Sequence, residues 1–196
     1  MFDFSPEVVQ YIEIGAVVTG LVFLLLVIKQ NIWCWSFGIV TSLLSVLLFL
    51  EVALFSEAIL YFFYAIMGVY GWIVWDAKSK ENIEMPVSTE SRKSHGGAII
   101  VGLIASSGLG WVMSNFTKSE MSYVDSHTTI FSFLATYLET QKILSAWLYW
   151  IVINGVSVWL YYSRELHVYA WLMAFYFIMS FVGFYSWKKS YQKEVS

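Results

Sequence analysis

NIWCWSFGIVTSLLSVLLFLEVALFSEAILYFFYAIMGVYGWIVW, residues 31–75, holds only two charged side chains, Glu51 and Glu57, and no basic one. A stretch so poor in charge cannot give its helices a face for water. Broken near its two glutamates, it reads as two helices, each close to the roughly 20 apolar residues that cross a bilayer's hydrocarbon core. Applied outward in both directions, the same test predicts seven spans, near residues 9–29, 33–50, 56–75, 96–115, 124–143, 146–163 and 167–187.

The composition agrees with these spans. Only 13% of the chain is Asp, Glu, Lys or Arg, while 59% is hydrophobic and 19% aromatic, which excludes a water-soluble domain of this length. The N-terminal MFDFSPEVVQ has no basic residue ahead of its apolar run, so the first span is expected to be structural rather than a cleaved signal. Cys34 is the single cysteine, expected to face lipid or core, and no Cys/His cluster has the spacing of a metal site. No metal, cofactor or nucleic acid is expected, and membrane lipid is the surrounding partner.

The loops assign an orientation. Lys29, Lys78, Lys80, Arg92, Lys93, Lys142, Lys188, Lys189 and Lys193 fall on one side of seven alternating spans, and only Lys118 and Arg164 on the other. Basic residues near helix ends are retained in the cytoplasm, so the N-terminus is expected outside and the C-terminus inside. The polar linker 76–95, DAKSKENIEMPVSTESRKSH, then lies in the cytoplasm.

The chain also repeats. A shift of 115 residues places Trp35 on Trp150, Tyr61 on Tyr176, Tyr70 on Tyr185, Trp72 on Trp187 and Gly68 on Gly183 without a gap. The expected fold is an all-α membrane protein of seven transmembrane helices arranged as 3+1+3 parallel repeats. Residues 1–75 form the first three-helix bundle, 76–95 the linker, 96–115 a linking transmembrane helix, and 116–196 the second bundle with a cytoplasmic tail. The linking helix restores the direction that an odd number of helices reverses. Parallel repeats of this kind are a transporter architecture, with substrate held between the halves near mid-membrane.

Polar side chains at mid-depth mark where a ligand would sit, because exposure to lipid is costly there. Asn154 lies at the centre of the sixth span and shares a face with Trp147 and Trp150, at i, i+3 and i+7. Its amide either meets a ligand or ties two helices together. The fifth span carries a stripe through Asp125, Thr128 or Thr129, Ser132, Thr136 and Glu139. Ser132 and Thr136 lie near mid-depth, Asp125 and His127 near the outer surface, and Glu139 and Gln141 near the cytoplasmic end, where a carboxylate snorkels easily. Tyr61, Tyr64 and Tyr176 bring phenols to mid-depth, and Trp35, matched to Trp150 by the shift, completes the candidate set. Trp72, Trp75 and Trp187 read as an interfacial belt. No nucleophile–base pair or phosphate loop appears, so no catalytic residue is assigned and an enzyme is not expected.

Residues 31–75, together with AWLYWIVINGVSVWLYY and AFYFIMSFVGFYSW, resemble the bacterial PnuC family of vitamin transporters. The resemblance covers nearly the whole chain and is most specific at Trp147, Trp150 and Asn154. It implies a SWEET-like 3+1+3 fold in the inner membrane, commonly a homotrimer, and transport of nicotinamide riboside by facilitated diffusion with alternating access. A cytoplasmic riboside kinase would make uptake one-way. It also implies that Asn154 hydrogen-bonds the substrate while Trp150 faces its ring. Thr136 stands where some relatives are expected to carry a longer amide, which leaves thiamine or another vitamin as the alternative ligand. A non-transporting membrane scaffold is the rival from another class.

Overall fold

The computed structural model describes residues 4–51, 55–80, 85–116 and 121–195. Residues 81–84 of the linker and Lys118 fall outside the described residues. Among the described residues seven helices follow one another: α1 (Pro6–Ile28), α2 (Cys34–Glu51), α3 (Phe55–Lys80), α4 (Arg92–Phe116), α5 (Ser122–Thr140), α6 (Ala146–Ser163) and α7 (His167–Val195). No strand occurs among the described residues. The segment expected to be a tail after residue 187 is instead the last two turns of α7.

The described helices are inside out by the standard of a soluble protein. Ser42, Ser45, Ser132, Thr136, Asn154, Ser157 and Ser180 are buried, while Ile104, Val152 and Ile178 stand exposed. Exposed apolar surface with buried hydroxyls and amides is what a hydrocarbon solvent selects. Among the described residues, α1, α2, α3, α4 and α7 are long and apolar enough to cross a membrane. α5 and α6 fall below that standard by composition, α5 through its hydroxyl and charged residues and α6 through Asn154 and its Trp and Tyr residues; Ser126, Ser132, Thr136, Glu139 and Thr140 of α5 are all buried.

The chain divides into two compact units, Met1–Met85 and Pro86–Ser196. In the first, α2 packs on both α1 and α3; in the second, α6 packs on α5 and α7, and α4 packs on α5. The linking helix therefore belongs to the second unit. The extended segment before α4 docks there too: Ser88 donates its N–H to the Lys142 carbonyl (3.0 Å) and accepts from the Leu144 N–H (2.9 Å). His95, in the first turn of α4, reaches the Tyr149 hydroxyl (3.3 Å) and the Ser145 hydroxyl (3.1 Å) across the same junction.

The turn between α1 and α2 and the turn between α5 and α6 have the same construction. Gln30 and Lys142 both adopt left-handed backbone, at φ 56° and 49°, and their N–H groups return to the carbonyls of Val27 and Glu139. Asn31 then donates to Leu26, and Ile143 to Leu138. Beyond each turn a tryptophan is buried, Trp35 at 2% exposure and Trp147 at 1%, edge-on to Trp75 and Trp187 respectively. Each rests on a glycine, Gly71 or Gly183, where an added Cβ would overlap the indole. Every one of these pairs lies 112 positions apart.

The register of the repeat is thus 112, not 115. Trp35 corresponds to Trp147 rather than Trp150, and Tyr64 rather than Tyr61 corresponds to Tyr176. A three-residue error is nearly one helical turn, so it keeps the same helix face forward and lets aromatic residues coincide on it. Only the turn, with its obligatory left-handed residue, fixes the register. Trp75 (4% exposed) and Trp187 (0%) also leave the interfacial belt, since both are core residues.

Candidate functional site

In the second unit, α6 presents Asn154 toward α7. Its Nδ2 donates to Ser180 Oγ (3.1 Å), and Ser180 Oγ donates in turn to the Tyr176 carbonyl (2.8 Å), so one chain of hydrogen bonds links the two helices. Asn154 is 9% exposed and Ser180 2%, while the Tyr176 ring is half-buried beside them on α7. The amide keeps its carbonyl oxygen and a second N–H for another partner. Ser180 escaped the sequence reading, although it is the one aliphatic hydroxyl in the apolar run FYFIMSFVGF.

One turn before Asn154, the half-buried Trp150 brings its indole N–H close to the carboxyl group of Glu139. Glu139 is 4% exposed, so it does not snorkel as the sequence suggested; its backbone already belongs to the turn that begins α6. Thr136, one helical turn earlier, is 7% exposed and donates to the carbonyl of Ser132, itself 6% exposed. Asn154, Trp150, Thr136, Ser132 and Tyr176 therefore all belong to the second unit, four of them on the two helices joined by the α5–α6 turn. Asp125 is committed elsewhere, in an ion pair with Arg164 (2.8 Å), and the His127 ring returns to its own helix at the Tyr123 carbonyl (2.6 Å).

The remaining candidates lie in the first unit. Tyr61 and Tyr64 are half-buried and meet edge-on at 5.6 Å, with Phe49 5.3 Å from Tyr61. Trp35 is enclosed by Phe23, Gly71 and Trp75, and its indole N–H has no hydrogen-bond partner. Trp147 is enclosed in the same way, with its own N–H equally unpartnered. These two rings are the matching anchors of the two units. Nothing about Trp35 recommends it as a ligand contact.

The 112-residue correspondence separates what the fold needs from what one unit adds. Where the second unit has Ser132, Thr136, Glu139, Trp150, Asn154 and Ser180, the first has Gly20, Leu24, Val27, Gly38, Ser42 and Gly68. The fold accepts small or apolar residues at nearly all of these positions. Ser45 and Ser157, by contrast, match and are both buried, as polar packing within a bundle requires. The polar enrichment of α5–α7 is thus peculiar to the second unit. Among the described residues no group of three or more His, Cys, Asp or Glu could hold a metal ion.

The family model described as nicotinamide mononucleotide transporter matches residues 10–189. The chain belongs to this family. The family is one of membrane transporters, not enzymes, and the chain is accordingly a multi-pass membrane protein. Among its relatives is the nicotinamide riboside transporter PnuC of Escherichia coli (strain K12), 23% identical over 88% of this chain and 82% of that protein. The PnuC of Shigella flexneri matches equally, at 23% identity over the same shares. The crystal structure of the vitamin B3 transporter PnuC has the same fold, with a TM-score of 0.75 over 94% of this chain and 83% of that one at 18% identity.

Proposed function

We propose that this family member carries nicotinamide riboside across the bacterial inner membrane by facilitated diffusion, alternating access between two three-helix bundles in a 3+1+3 arrangement. The observation that carries this reading is the set Thr136, Trp150, Asn154 and Ser180, polar where the matching half is small or apolar. A flat pyridinium is suited to the face of Trp150, and ribose hydroxyls to Asn154 and its neighbours. Tyr176 supplies a phenol on α7 in the second unit, and Tyr64, its match in the first unit, stands beside Tyr61.

The family description names the mononucleotide, but the charge pattern favours the riboside. The ten Lys and Arg residues among the described ones lie at helix ends or in connections. A phosphate dianion at mid-depth would have no basic partner, and burying it unpaired costs far more than binding returns. The same feature suits a cycle in which a cytoplasmic kinase traps the riboside as a phosphate that cannot leave. The related PnuC proteins are named for nicotinamide riboside, which accords with this reading. A homotrimer is part of the proposal and rests on the family resemblance alone.

Liposomes holding the purified protein should take up labelled nicotinamide riboside with no ion gradient imposed, and excess nicotinamide mononucleotide should compete poorly. Uptake of thiamine in place of the riboside would overturn the ligand. Dependence on a proton or sodium gradient would overturn facilitated diffusion.

The basic residues support a cytoplasmic linker and C-terminus. With Cys34 replaced by Ala, Thr89→Cys and Gln192→Cys, both at exposed positions, should resist an impermeant thiol reagent added to intact cells and react in opened ones. Modification in intact cells would reverse the orientation.

A further inference from the structure

Glu139 is a carboxylate that the fold does not require. Its counterpart in the first unit is Val27, 0% exposed, at the same place in the same turn. Its neighbour Trp150 corresponds to Gly38, so the carboxylate and the indole beside it are both absent from the matching unit. No ion pair involves Glu139 among the described residues. Lys142, three residues further along the chain, meets it through the backbone, its N–H donating to the Glu139 carbonyl (3.0 Å). A carboxylate so enclosed carries a large desolvation cost, which a single indole N–H offsets only in part. A cation brought by a ligand would offset that cost.

We propose that Glu139 selects for positive charge in the ligand, its carboxylate lying behind the indole of Trp150 so that an aromatic cation on that ring is held from the face and from the edge together. This rests on the reading of Trp150 as a ligand contact. The approach of the indole N–H to the carboxylate does two things. It orients the carboxylate along the edge of the indole, and it draws electron density into the ring, which strengthens the attraction of its face for a cation. Selection of this kind separates an N-alkylated pyridinium from a neutral ring of the same shape. A pocket built from Asn, Thr and Tyr alone would bind both about equally.

The test compares two ligands of nearly identical shape: nicotinamide riboside, a cation, and its reduced dihydro form, which is neutral. The parent should prefer the cation. Glu139→Gln should weaken cation binding by about tenfold or more while leaving the reduced riboside within about twofold, since only the charge term is removed. Glu139→Val, which installs the residue the fold already holds at position 27, should do the same with its melting temperature at or above the parent's.

An equal loss for both ligands, no loss for either, or collapse of the folded protein in both variants would overturn the proposal. Thiamine, another aromatic cation, separates the two readings. If the parent ignores the riboside yet binds thiamine in a Glu139-dependent way, the proposed substrate fails and charge selection stands. If the parent binds no aromatic cation, both fail.

Discussion

Asn154→Leu is expected to weaken riboside binding by about ten- to a hundredfold while the protein stays folded, because a lost buried hydrogen bond costs roughly 1–3 kcal/mol and each 1.4 kcal/mol is tenfold. The hydrogen-bond chain through α7 makes this a sharp test. Asn154 gives a proton to Ser180, and the Ser180 proton goes on to the Tyr176 carbonyl, so removing the amide leaves no donor on α7 orphaned. The structural cost should therefore be small and the ligand cost large. Ser180→Ala removes the amide's partner instead and should change stability more than affinity.

Trp150→Ala should weaken binding through lost stacking, whereas Trp171→Ala, at a residue 77% exposed, should leave it unchanged. Calorimetry with the purified variants decides the matter. If Asn154→Leu bound as tightly as the parent, or melted far below it, Asn154 would be a tie between helices and the site assignment would fall.

Gly183→Ala is expected to produce the largest loss of stability. A Cβ there would overlap the six-membered ring of Trp147, which is 1% exposed and flanked edge-on by Trp187, so the indole has nowhere to retreat. Overpacking of a closed core costs about 1–3 kcal/mol. For a chain of this size that is a fall of roughly 2–12 °C in melting temperature. Gly71→Ala, 2.5 Å from the Trp35 ring, should behave alike. Combining Gly183→Ala with Trp147→Phe should recover part of the loss, since the smaller ring vacates the contested space. An unchanged melting temperature for Gly183→Ala would show that the tryptophan is not a fixed anchor.

Much of the fold was legible because its signals are additive along a helix. Span lengths follow from summed apolarity, and α6 begins and ends where the sequence placed it, at 146 and 163. The likeness of the two turn regions was read at the wrong register, because aromatic coincidence survives a slip of one turn, whereas the left-handed residues at 30 and 142 leave no mark in residue type: one is Gln and the other Lys. Asn154 and Trp150 stood out as polar and amphipathic groups at the middle of an apolar run. Glu139 did not, because proximity to a helix end suggested solvent, and only tertiary packing decides whether an end is wet. Ser180 was hidden for the opposite reason, since a lone serine in a membrane helix commonly satisfies itself on its own backbone.

The pairing of positions 112 apart has a practical consequence for re-targeting. Mutational load should divide by half: apart from Tyr61 and Tyr64, changes in α1–α3 would register as lost protein, and changes at the polar positions of α5–α7 as altered preference among ligands. A library aimed at a new vitamin need randomise only those few positions. At each one the first half already supplies the reference residue, Val for Glu139, Ser for Asn154 and Gly for Ser180. The molecule carries its own control experiment.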